Sequence, residues 1–136
     1  MRNKLCEVSE TSSGWSVTAM NEQLLQLAQK YKPLGQIMLD ELLLSADDAL
    51  KLADDLERIG APIAGVNFWY YVTVRDQQIL AQDHHELSVS DAILQGENPV
   101  QDSVALAKNF IGLRPPRATF VSIIVDAPEW VMHSEP

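Results

Sequence analysis

Cysteine is almost absent from this chain: Cys6 is the single thiol in 136 residues. One cysteine excludes an internal disulfide framework and a cysteine-based zinc site within one chain. Its neighbour Glu7 supplies no base or positive setting, so Cys6 reads as a spare thiol rather than a nucleophile. Long apolar runs are missing too. No stretch approaches the ~18 residues of a spanning helix, so no membrane partner is expected. Mean hydropathy is −0.07. The opening Met1-Arg2-Asn3-Lys4-Leu5-Cys6-Glu7 has no apolar stretch behind its charges. That is no secretory signal, and the expected compartment is the cytoplasm.

Positive charge is scarce as well. Ten Lys and Arg face 19 Asp and Glu, a formal charge of −9. Phosphate binding rests on clustered Lys and Arg, so nucleic acid is not an expected partner. No serine sits in a Gly-x-Ser-x-Gly turn, and no Gly-rich phosphate loop occurs. No cofactor and no catalytic residue is expected. What is present, 46% hydrophobic and 21% charged residues, suits one ordinary globular domain.

Residues 1–17 carry Ser9, Thr11, Ser12, Ser13 and Gly14 with little apolar periodicity, which predicts a loose leader with Trp15 and Val17 docking at its end. A helix is expected over Ala19–Tyr31, capped by Thr18, with Met20, Leu24, Leu27, Ala28 and Tyr31 on one face. Pro33 and Gly35 end it. Residues 36–44 fit either a short helix or an extended segment. The pattern is clearest over 46–59. Ser45 caps, Asp47 and Asp48 favour the helix dipole, and Ala49, Leu52, Ala53, Leu56 and Ile59 form a stripe before Gly60 and Pro62.

From Ile63 to Arg75 the chain reads as a strand. Val66, Phe68, Tyr70, Val72 and Val74 share one face, with Trp69, Tyr71 and Thr73 on the other. Gly65 suits a bulge or a close backbone approach. Asp76-Gln77 is the expected turn into a partner strand, Gln78–Gln82. A polar stretch from Asp83 to Gly96 holds a short helical turn at Ser90–Leu94. Asn98-Pro99 opens a third helix that Gly112 ends. After Pro115-Pro116, Ala118–Val125 is apolar enough for a central strand. Trp130 is placed to pack back from the tail. The expected fold class is α+β: a small, mainly antiparallel sheet, a hairpin plus a third strand, with helices packed on one face. One domain over 18–126 lies between the leader and a tail at 127–136.

Three clusters could carry chemistry. Asp83-His84-His85-Glu86 groups four potential metal ligands. Neighbours in an extended chain point to opposite faces, and the run lacks the i, i+4 spacing that sets two His on one helical face. The cluster therefore reads mainly as a solvated loop, with no metal expected. Second, residues 40–57 hold Asp40, Glu41, Asp47, Asp48, Asp54, Asp55 and Glu57 against Lys51 alone. From Asp76 to Ala107 there are six acidic residues and no Lys or Arg. These blocks read either as solvated faces or as a docking surface whose field draws a basic protein. Third, Trp69 and Tyr71 lie on the strand face opposite Phe68 and Tyr70, where they could anchor a partner. The candidate partner-binding residues are Asp47, Asp54, Asp55, Glu57, Trp69, Tyr71, Asp83, Glu86 and Asp91. Arg114 and Arg117, around the proline pair, read as loop solvation or an anion contact.

The stretch Leu43-Leu44-Ser45-Ala46-Asp47-Asp48, through Leu56-Glu57-Arg58-Ile59-Gly60-Ala61-Pro62, to Gly65-Val66-Asn67-Phe68-Trp69 resembles a bacterial immunity-protein family, family forty of the polymorphic-toxin systems. The later helix and strand, about 99–125, fit the same order. Asn67 stands where an acidic residue is expected, and the Asp83–Leu87 loop lacks a Trp expected there. The resemblance implies a non-enzymatic inhibitor of one cognate toxin, which is often a basic nuclease. The alternatives are a structural or homodimeric domain, and a small metal-dependent enzyme using residues 83–86.

Overall fold

A computed structural model describes residues 12–127 and 130, with side chains from residue 21 onward. Helix α1 spans Ser12–Tyr31. It begins well before the expected Ala19, so Thr18 lies inside it and is not its cap. No proline interrupts the chain before Pro33, and a helix started earlier runs on into the apolar stripe. The side chains of Trp15, Val17 and Met20, together with all of Cys6 and His133, lie outside the described residues. A 3-10 turn at Lys32–Leu34 carries Pro33, and Gly35 follows.

The ambiguous segment is a hairpin. Strands β1 (Gln36–Met38) and β2 (Glu41–Leu43) pair antiparallel around Leu39-Asp40. Both turn residues have positive φ, 52° and 64°, as a two-residue type I′ loop requires. Helix α2 occupies Ala46–Ile59, as its capping residues predict. The Ser45 hydroxyl accepts from the Asp48 N–H at 3.1 Å. Gly60 takes the left-handed conformation at φ 83°, and the Ala61 N–H closes back on the Leu56 carbonyl at 2.9 Å.

Strand β3 (Ile63–Val74) is the spine of the sheet. Strand β4 (Gln77–Gln82) returns along one edge of it, with Trp69 opposite Gln82 and Val74 opposite Gln77. The turn is Arg75-Asp76, at φ 50° and 66°, one residue earlier than expected. Further along that edge, the two-residue β5 (Leu87–Ser88) pairs with Gly65 and Val66. Gly65 serves both purposes read for it. The register shifts between Ile63 and Gly65, and an added Cβ would lie 2.6 Å from the Leu87 carbonyl oxygen. Helices α3 (Asp91–Leu94) and α4 (Pro99–Gly112) follow. Asn98 holds the cap position of α4, but its side chain makes no capping bond. Strand β6 (Phe120–Val125) covers the other edge of β3 from Ile63 to Trp69. Leu44 bridges Val121 and carries the β1–β2 hairpin onto the outside of β6.

The fold is the α+β arrangement expected, with helices against one face of an antiparallel sheet. Leu24, Leu27 and Tyr31 of α1, Leu52 and Leu56 of α2, and Val104 and Ile111 of α4 close over Val66, Phe68, Val121 and Ile123. Trp130 packs against this core as well.

Candidate functional site

The nine candidate partner-binding residues divide by what holds each side chain. Asp55 is on the flank of the α2 stripe, three residues after Leu52, and is 6% exposed. Its Oδ2 accepts from the Tyr31 hydroxyl at 2.6 Å and from Lys30 Nζ at 2.9 Å, and Arg58 pairs with its Oδ1. Burial pushes the carboxyl's pKa up, but hydrogen bonds from Tyr31, Lys30 and Arg58 outweigh it and hold the group below the usual range. Burial, with the adjacent carboxylate, raises the Tyr31 phenol, which stays a protonated donor. Asp55 ties α1 to α2 and is not available to a partner. That corrects the sequence reading.

Asp83 is a second correction. It continues the β4 register, its N–H donating to the Phe68 carbonyl at 2.8 Å, and it is 1% exposed. Residues directly opposite share a face, so its side chain turns inward with Phe68. Arg117 grips it through Nε at 3.0 Å and Nη2 at 3.2 Å, and the His85 N–H donates at 3.0 Å. The His85 N–H and the guanidinium together hold the carboxyl below its ordinary pKa. Arg117 also lies over the Tyr70 ring at 5.6 Å, so it is a clamp rather than loop solvation.

Trp69 is the third correction, being 2% exposed. Its indole N–H donates to Glu41 Oε1 at 3.3 Å, and Asn67 Nδ2 donates to the same oxygen at 3.1 Å. Glu41 belongs to β2, and Ser122 of β6 lies opposite Asn67 in the sheet. Trp69 is a wall of the fold. Sequence reasoning missed Glu41 because the hairpin that presents it was not readable.

The other candidates are at the surface. Tyr71 is 46% exposed and meets Phe120 edge-on, with ring centres 6.0 Å apart. Asp47, Asp54, Glu57, Glu86 and Asp91 are exposed. Asp54 is bound by Lys108 Nζ at 2.6 Å, which links α2 to α4 and raises the lysine's pKa. Glu86 accepts from Gln82 Nε2 at 3.4 Å.

The structure disperses the 83–86 cluster. Asp83 faces in; His84 is 93% exposed and only its Nδ1 edge comes within 3.6 Å of Asp83 Oδ1. His85 lies over Phe110 at 5.0 Å, and Phe110 stacks on Phe68 at 4.9 Å. Among the described residues no group of three or more His, Cys, Asp or Glu side chains is placed to hold a metal ion. An open depression of about 350 Å³ lies between α1 and α2, lined by Lys30, Tyr31, Leu34, Asp48, Lys51, Asp54 and Asp55. Its charges are largely paired with one another. Among the described residues no helix is long and apolar enough to cross a membrane.

No protein-family model, characterised protein or solved structure matches the chain. The geometry alone therefore carries the functional reading.

Proposed function

We propose that the protein is a non-enzymatic binding module for a basic protein, in the manner of an immunity protein neutralising a cognate toxin. One observation carries this reading: among the described residues most cations are engaged by partners within the fold, while many carboxylates are not. Lys30 and Arg58 go to Asp55, Lys108 to Asp54 and Arg117 to Asp83. Lys51 lies 4.0 Å from Asp48, and Arg114 donates to the last turn of α4. Asp47, Glu57, Glu86, Asp91, Glu97 and Asp102 are exposed, and no Lys or Arg among the described residues forms an ion pair with any of them. Helices α3 and α4 pack together, as do α2 and α4, so Asp47, Glu57, Asp91 and Asp102 belong to one helical layer. A surface of one sign steers an oppositely charged partner and accelerates encounter. Tyr71 supplies an exposed aromatic contact with few rotatable bonds.

The test is calorimetric titration with the protein encoded by the adjacent reading frame, at low and high salt. Binding should be tight and weaken with salt. Asp91→Lys combined with Asp102→Lys should weaken it at least about tenfold, while the stability cost stays at about 1–2 kcal/mol because each residue sits in the first turn of its helix. Absence of binding, or affinity indifferent to both salt and charge reversal, defeats the reading.

A further inference from the structure

Beyond Trp69 the sheet narrows to two strands, because β6 ends its pairing there and β4 runs on to the Arg75-Asp76 turn. The outer edge of β4 is unpartnered among the described residues and reads Gln77-Gln78-Ile79-Leu80-Ala81-Gln82. Natural edge strands are blunted by charge, proline, bulges or brevity. This one has no charged residue and no proline, and all its residues pair with β3 in unbroken register. The Asp83 N–H faces β3, so by alternation Gln78, Leu80 and Gln82 turn their N–H and C=O groups outward. Exposed apolar side chains gather on the same hairpin: Tyr71 at 46%, Val74 at 47% and Ile79 at 47%.

We propose that the β4 edge pairs with the β4 edge of a second copy of this chain, antiparallel about a twofold axis, to form a continuous sheet across a homodimer. Charge selects that occupant. Two copies at −9 each repel through the helical layer, where Asp47, Glu57, Asp91 and Asp102 are exposed, but the β4 edge brings no carboxylate against its own image. An isologous contact needs a self-complementary patch, and an uncharged strand meeting itself antiparallel provides one. The β4 edge is separate from the acidic helical layer of Asp47, Glu57, Asp91 and Asp102, so reversing those charges tests basic-partner binding and Ile79→Lys tests the dimer, and the two failures are distinguishable.

Sedimentation equilibrium over a concentration series should show the mass rising from one protomer, 15.1 kDa, toward two, with association at high salt no weaker than at low salt because salt screens the net repulsion. Amide exchange at Gln78, Leu80 and Gln82 should slow as concentration rises. Gln78→Pro removes an outward N–H and leaves the ladder to β3 intact, so it should stay folded and lose the dimer. Ile79→Lys, at an exposed position near the axis, sets two like charges together and should weaken association at least about tenfold even if the proline variant misfolds. A single-protomer mass at every concentration overturns the proposal. So does a dimer unaffected by Ile79→Lys, or exchange at those amides that ignores concentration.

Discussion

Removing the Tyr31 hydroxyl tests the link between the helical layer and its buried charge. Tyr31→Phe keeps the ring that fills the core and deletes only the 2.6 Å bond to Asp55. Hydrogen bonds to charged groups contribute about 1.5–3 kcal/mol. Lys30 and Arg58 still neutralise the carboxylate, but their side chains are 57% and 65% exposed, so solvent screens them. The expected cost is therefore about 2 kcal/mol at neutral pH. Unfolding entropy of roughly 2.1 cal/mol/K per residue converts this to a fall in Tm of about 7 °C for a chain of this length. Urea unfolding followed by circular dichroism measures it, and Asp55→Asn in the same background closes a double-mutant cycle. The sign of the pH dependence follows from the lowered pKa of Asp55. As pH falls, the unfolded chain takes up the proton first, so the contribution is complete above the unfolded value of about 3.9 and is lost as pH drops through the folded one. The gap between wild type and Tyr31→Phe should accordingly close in acid. A cost below about 0.5 kcal/mol at neutral pH, or a gap that persists undiminished in acid, refutes the reasoning.

Two further changes probe the fold elsewhere. Arg117→Ala leaves the 1%-exposed Asp83 with the His85 N–H and, 3.6 Å away, the exposed His84 Nδ1. Because the guanidinium is 53% exposed, the cost should be about 2–3 kcal/mol rather than the 3–5 of a fully buried pair, and Asp83→Asn should recover part of it in urea melts. Leu39→Asn should stabilise the chain by about 0.5–1 kcal/mol, since Leu39 is 77% exposed at φ 52° and Asn accepts that conformation more readily; an unchanged urea midpoint would count against the strained turn.

The difference between what the sequence made legible and what it hid follows the range of the determining contact. Helix α2 was readable to both ends because Ser45, Gly60 and Pro62 write its caps locally. Strand β3 was readable because alternation over twelve residues has few other interpretations. The β1–β2 hairpin was not, since its strands have three residues each and its turn lacks the Asn-Gly signal. That single gap propagated to the site. Without the hairpin nothing placed Glu41 against Asn67 and Trp69, and Trp69 read as a surface anchor. Asp55 was within reach, because its spacing from Leu52 sets it beside the apolar stripe rather than opposite it. Arg117 was not, lying 34 residues from the carboxylate it holds.

These corrections change what the −9 charge means. Asp55 and Asp83 are structural carboxylates, and each comes with its own cation. Removing them from the count of docking residues also removes Lys30, Arg58 and Arg117 from the cations that could dilute the surface field. The negative surplus then rests on residues such as Asp47, Glu57, Asp91 and Asp102, which are exposed and form no ion pair with a Lys or Arg among the described residues. A charge that only kept the chain soluble would have no reason to be arranged this way, but neither would it be harmed by it. The distinction is experimental: reversing the exposed set one residue at a time should cost no more than about 1 kcal/mol each, the helix-dipole share of Asp47, Asp91 and Asp102, and a loss of partner affinity beyond that measures docking. Reversing Asp55 or Asp83 would confound the two. Charge reversal across the whole acidic surface is therefore uninformative unless those two are left intact.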